Sequence, residues 1–365
     1  MTVEYLDLRA AIEELQTETD EAIRNVLEGG RYILGPEVEA FEREFAAFCG
    51  VRHCIGVGNG LDALQLLLRG FGIGPGDEVV VPAYTAVATW MAVTLVGATP
   101  VGADVHDTTW NLDAERVEAA LTTRTKAVIA VHLFGQPAAM DPLAELAEGR
   151  GIVLIEDAAQ AHGARYQGRR VGGLAHGAAF SFYPTKNLGA LGDGGAVTTD
   201  DDELADTVRR LRTYGWRERD VSELKGINSR LDELQAGILR VRLRHLERWN
   251  GRRAEIAGTY LTALGDRVTT PTIPSWAEPV WHLFVIAAEG RDDVRRQLAE
   301  RGIGTLVHYF PLPHLTPTYR ADGWAEGSLP IAERLAETSV SLPLYPQLSK
   351  RASHEVVEAV LAVFG

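Results

Sequence analysis

SFYPTKNLGALGDGGAV, residues 181–197, turns a run of β-formers into a glycine-rich loop and leaves one amine, Lys186, at the break. In an extended segment successive side chains point to opposite faces. Ser181 and Tyr183 therefore share one face, while Phe180 and Phe182 share the other and turn to a core. A lysine that attacks a carbonyl must be partly deprotonated, which desolvation or a neighbouring cation achieves. The glycines after it let backbone or a ligand come close to that amine.

Two segments upstream have the same strand-to-turn character. In VLIEDAAQAHGA (153–164) an apolar strand ends in Glu156 and Asp157, followed by Gln160 and His162. A carboxylate at a buried strand end needs a partner; a protonated ring nitrogen is one, and the amides of a following helix are another. In HCIGVGNGLDALQLLLRGFG (53–72) strand residues run into Gly58, Asn59 and Gly60, and a helix begins near Leu61. Helix amides above a glycine turn can cup a phosphate, although a plain strand–helix turn reads the same way. This is neither the dinucleotide fingerprint nor a P-loop. Taken in order, the three turns suit one ligand: phosphate at Gly60, pyridinium nitrogen on Asp157, aldehyde on Lys186. Pyridoxal phosphate has all three groups, and its chemistry requires the lysine and the acid.

Around these turns the chain alternates strands and helices. Strands are expected at 78–81, 99–102, 127–131, 153–156, 178–182 and 196–199, with helices at 37–48 and 61–68. The pattern predicts an α/β domain with a mostly parallel central sheet flanked by helices. Such sheets bind ligands at the carboxyl ends of their strands. A long helix follows over 232–249, then a further helix over 252–264, a strand over 281–287 and a helix over 294–300. The expected division is a large domain, 1–244, with a smaller C-terminal α+β domain, 245–365.

Bulk properties exclude several classes. The 365 residues carry 50 acidic against 36 basic side chains, a net charge of −14. That balance is wrong for a general nucleic-acid binder. Two cysteines, Cys49 and Cys54, make neither a disulfide framework nor, with His53 between them, a zinc site; no metal is expected. The opening MTVEYLDLRAAIEELQTE lacks the features of a signal peptide. No apolar run reaches the ~18 residues of a membrane helix, so the cytoplasm is the expected location.

The motifs GVGNGLDAL, EDAAQAHGA, SFYPTKNLGALGDGGA and GINSRLDELQAGIL together resemble the nucleotide-sugar aminotransferases of the DegT/DnrJ/EryC1/StrS family. The likeness runs from GPEVEAFEREFA (35–46) to the VHY segment ending at Tyr309. It implies the type I, aspartate-aminotransferase fold of pyridoxal-phosphate enzymes. Lys186 would hold the cofactor and shuttle the proton, and Asp157 would meet the pyridinium nitrogen. Gln160 would bond the ring hydroxyl. The backbone of Gly60 and Leu61, with Ser181, would hold the phosphate, completed by Asn228 from a neighbouring subunit in a homodimer with shared sites. Where the family often stacks an aromatic on the ring this chain has Ala86, so Tyr84 or Trp90 takes that place or the ring packs differently.

The KNLGALGDGG form and the segment IGTLVHYFPLPHLTPTY (303–319) look like those of the 3-aminotransferases. They imply a thymidine-diphosphate 3-keto-6-deoxyhexose as acceptor and L-glutamate as donor, with Tyr183, His308 and Tyr309 around the substrate. A 4-keto sugar, a cyclitol, or a regulatory protein binding the cofactor without turnover are the alternatives. A dehydratase with histidine for lysine is opposed by Lys186. His245 and His354 are expected to be solvated. The charged RTYGWRERDVSELK (212–225) is expected to bind diphosphate or to be a solvated loop.

Overall fold

The structure, a computed structural model, describes residues 2–365. Helix α1 (Pro36–Cys49) starts at Pro36 after an extended Gly35 and ends on the left-handed Gly50. Strand β1 (His53–Val57) leads through the glycine turn to α2 (Gly60–Gly70). Then follow β2 (Glu78–Pro82), α3 (Val87–Leu95), β3 (Thr99–Ala103), β4 (Thr125–Val131), β5 (Val153–Asp157), β6 (Gly177–Ser181) and β7 (Gly195–Thr199). They form one seven-stranded sheet in the order β1-β7-β6-β5-β4-β2-β3. Only β7 is antiparallel to its neighbours. The remaining strands present their carboxyl ends along one edge, so Val57, Asp157 and Ser181 all terminate there.

Burial on both faces explains the apolar strands. α2 packs Leu64 and Leu67 on one side, and α1 sends Phe41 and Phe45 to the other. Phe45 meets Phe180 edge-on at 4.9 Å and Phe182 at 5.4 Å. Phe180 and Phe182 are wholly buried, whereas Ser181 is half-buried and Tyr183 is exposed. The alternation expected from the sequence holds.

The long helix α4 spans Glu233–Leu264, 32 residues or ~48 Å. Two helices were expected over this region; their apolar stripes are in phase, and residue 245 lies inside one continuous element. At its start Glu233 is buried and accepts the amides of Gly35, Glu37 and Val38 at 2.7–3.0 Å, capping α1. Its far half joins a second core with β8 (Phe284–Ala287), α5 (Arg291–Glu300), β9 (Ser339–Leu342) and α6 (Lys350–Phe364). The strand expected from 281 begins at Phe284, because Trp281 has a left-handed φ of 50°. Val3 belongs to this second core and pairs with Ile303, so the N-terminal segment is strapped to the smaller lobe.

Both cysteines are free and buried. His245 is half-buried and sits 3.0 Å from Glu18, unlike the solvated side chain expected. His354 is exposed. No described helix is long and apolar enough to cross a membrane.

Candidate active site

The strand-end carboxylates diverge because neighbouring residues of β5 face opposite ways. Glu156 is spent within the fold: it accepts the amides of Gly172 and Leu174, and His132 Nε2 lies 3.0 Å away. His132 Nδ1 accepts the Ala138 amide, so its proton is on Nε2 and donates to Glu156. Asp157 turns to the open edge. Its Oδ2 accepts the Thr89 hydroxyl at 2.8 Å, and its Oδ1 accepts the Ala159 amide at 3.2 Å. Each oxygen retains a lone pair for another donor. Burial pushes this carboxyl above its usual range, opposed by the Thr89 and Ala159 bonds and by Lys186.

Lys186 stands on the loop after β6, half-buried. Burial lowers its pKa to about 8, against the pull of Asp157. About a tenth of the amine is therefore free at pH 7, far more than for an ordinary lysine, and the free amine is the state a nucleophilic lysine needs. The residues around it are tightly set: Asn187 bonds Asn250 and the Val280 carbonyl, and also lies 3.1 Å from His282.

Gly60 begins α2, whose first amides have no partner inside the helix. Asn59 caps the helix by accepting the Asp62 amide. A side chain on Gly60 would bring its Cβ within 2.8 Å of Ser181 Cβ, so the turn and Ser181 share one small space. Ser229, which follows Asn228, accepts the Gly58 amide at 2.9 Å and donates to Asp62 at 2.6 Å. Asn228 itself is exposed.

Gln160 is buried between two partners: its oxygen accepts the Phe134 amide and its nitrogen donates to the Tyr309 hydroxyl at 2.7 Å. Tyr309 thus reaches from the segment after α5 to the edge of β5. His308 contacts Ser341 at 2.8 Å, and burial followed by Lys186 lowers its pKa to about 4, leaving it neutral at pH 7. Its carbonyl accepts the Tyr84 hydroxyl. Tyr84 and Trp90 are both fully buried, and Trp90 bonds the Pro82 carbonyl. Of the 212–225 segment, Arg212 is buried against Glu42 and the Gly56 carbonyl, and the rest is largely an exposed hairpin and turn.

The structure therefore gathers Asp157, Lys186, Gln160 and Tyr309 at the sheet edge, beside the Gly60–Ser181 turn. Tyr183 points outward, and Asn228 lies on the surface. Sequence reading missed Thr89 and Ser229. Thr89, the second threonine in PAYTAVATW, offered no signal beyond a polar residue early in an apolar helix. Ser229 sat unremarked inside a motif already quoted. These residues fit a phosphorylated pyridine aldehyde: an amine that can lose its proton, a carboxylate with spare acceptor capacity, and a helix start with no room for a side chain.

Known proteins bear on this geometry. The sequence model of the DegT/DnrJ/EryC1/StrS aminotransferase family matches residues 13–361. The chain is 54% identical to the dTDP-3-amino-3,4,6-trideoxy-alpha-D-glucose transaminase of Streptomyces venezuelae, over 98% of this chain and 95% of that one. It is 47% identical to the dTDP-3-amino-3,6-dideoxy-alpha-D-galactopyranose transaminase of Aneurinibacillus thermoaerophilus, over 98% of each. The crystal structure of S. venezuelae DesV in complex with a ketimine intermediate superposes with a TM-score of 0.97 at 54% identity, covering 98% of this chain and 97% of that one.

Proposed function

The chain belongs to the DegT/DnrJ/EryC1/StrS aminotransferase family, and we propose that it aminates C3 of a thymidine-diphosphate 3-keto-6-deoxyhexose, with L-glutamate as donor. The fold is the type I fold of its structural neighbours, and the cofactor is pyridoxal phosphate. When bound, pyridoxal phosphate supplies an electron sink for the carbon that loses its proton. The observation that carries the reading is a half-buried lysine, lowered to about 8, beside an acid with acceptor capacity to spare.

In this reading Lys186 Nζ holds the cofactor carbonyl and then moves the proton at the reacting carbons. Asp157, oriented by Thr89 and Ala159, accepts the ring N–H. The amides of Gly60 and Leu61, with the Ser181 hydroxyl, take the phosphate, and Asn228 from a second copy of the chain completes it. Gln160 retains one N–H for the ring hydroxyl while its other group orients Tyr309. His308, neutral, and the exposed Tyr183 meet the sugar and its diphosphate with Tyr309. A large domain of about residues 1–244 would carry the cofactor, and a smaller one of about 245–365, continuous with it through α4, would bring His308 and Tyr309 to the substrate. Overall, glutamate gives up its amino group and becomes 2-oxoglutarate, and the sugar ketone receives that amino group in place of its oxygen, which ends on the glutamate carbon skeleton by way of water.

The acceptor class rests on two relatives whose names share a 3-amino, 6-deoxy sugar and differ at C4. Product NMR after incubation with glutamate and 3-keto or 4-keto nucleotide sugars tests it. Amination at C3 is expected; an amine at C4 overturns the regiochemistry.

A further inference from the structure

A cavity of about 210 Å³ lies between the N-terminal segment, the loop carrying Lys186 and the face of α4. Lys186 borders it, but Gly60, Asp157, Gln160, Ser181 and Tyr309 do not. Its walls include Leu6, Leu8, Ile12 and Trp249, two arginines, Arg242 and Arg253, and one carboxylate, Asp7, which is engaged by the Arg9 and Ala10 amides. These arginines are eleven residues apart, close to three helical turns, so they project from one face of α4 with Trp249 between them. Both are buried, at 5% and 4% exposure.

Neither arginine has a carboxylate within ion-pair distance among the described residues. Arg242 Nη1 donates to the Gly189 carbonyl at 2.5 Å and at longer range to Ala190; Arg253 Nη1 donates to the carbonyls of Trp281, His282 and Leu344. The Nε of each is buried without a partner. Buried charges are ordinarily paired, and guanidinium is the group best shaped to take a carboxylate by two parallel bonds. Burial lowers both arginines, Arg253 to about 10, where a carboxylate would restore them. Two guanidiniums on one helix face with Trp249 between them outnumber the single carboxylate of Asp7 and match an anion with a charge at each end.

From this arrangement we propose that the cavity is a binding site for a short dicarboxylate, one carboxylate toward Arg242, the other toward Arg253, and the carbon chain against Trp249. The site is separate from the catalytic groups at the edge of β5. Occupancy supplies the missing counter-charge and, by binding only the folded chain, stabilises the enzyme.

The test is calorimetric titration of the cofactor-loaded enzyme with glutarate, butyrate and inorganic phosphate at fixed ionic strength, with cofactor absorbance recorded alongside. Glutarate, lacking an amine, cannot act as donor. Saturable glutarate binding is expected with no change in the cofactor spectrum, at least ~10-fold tighter than butyrate, the scale of one lost charged contact. Arg242→Gln is expected to weaken it by a similar factor. Should that variant fail to fold, Arg242→Lys decides, with weakening of about 3-fold or more expected because ammonium lacks the fork. Butyrate or phosphate binding as tightly as glutarate overturns the proposal. So does unaltered affinity in the folded variant, or glutarate binding that perturbs the cofactor spectrum.

Discussion

Lys186 owes its reactivity to where the chain leaves it. Its folded pKa, about 8, lies below the ordinary lysine value of 10.5, so the free amine appears as pH rises through about 8. The rate at which apoenzyme captures pyridoxal phosphate, followed by near-visible absorbance, is expected to rise with a midpoint near pH 8. A midpoint near 10.5 contradicts the burial argument. The same shift makes the native apoenzyme bind fewer protons than the unfolded chain between about pH 8 and 10.5, so this group's contribution to stability rises with pH across that window. Thr89→Val removes the hydroxyl from Asp157 while keeping the shape, and a loss of roughly 10-fold in kcat is expected from one hydrogen bond to a charged group. Thermal stability should change little; an unchanged kcat would remove Thr89 from the site. Lys186 and Asp157 were legible because Asp157 ends an apolar strand and Lys186 follows one by a few residues, each with an abrupt change of chemistry. Thr89 was not, since its partner lies 68 residues away and only the crossing of α3 over the sheet edge joins them.

At the scale of elements, strand ends decide what can be reached. The apolar runs and glycine turns made β2 to β7 readable to within a residue or two, because burial on both faces leaves little choice of side chain. Helix α4 was readable as helix but not as one helix: local periodicity does not say whether two phased stripes are joined. Its capping role was also hidden. Glu233 accepts three amides at the start of α1, and that bond set exists only once α1 and α4 lie side by side. Glu233→Ala strands those donors, and a loss of roughly 3 kcal/mol is expected, read as a lower denaturant midpoint. Glu233→Gln, which keeps one accepting oxygen, should lose less. Equal stability of all three proteins would refute the capping account.

For the whole molecule, the proposed sharing of sites between two copies can be tested by mixing. Lys186→Ala and Asn228→Ala chains, each inactive or nearly so alone, are expected to regain up to about a quarter of wild-type activity when exchanged into mixed dimers, since one site of the mixed pair is intact and random exchange makes half the dimers mixed. No recovery after demonstrated subunit exchange would place each site within one chain. The exposure of Asn228 beside the buried Ser229 is the structural feature that motivates this experiment. The acidic balance speaks against a general nucleic-acid binder, but no sequence pattern signalled that Val3 would cross to the other lobe. An edge-to-edge pairing with Ile303, some 300 residues later, leaves no local trace.

That strap has a mechanical consequence. The N-terminal segment, held at Val3, and the length of α4 join the two lobes along a seam that is closed elsewhere as well, by the Ile331 and Ala332 amides donating to Asp104 and by Leu283, Val285 and Leu312 packing with Tyr84 and Trp110. Joined at so many places, the lobes share load along the whole seam rather than through one pivot. Tyr309, reaching Gln160 at the sheet edge, adds one more bond to it.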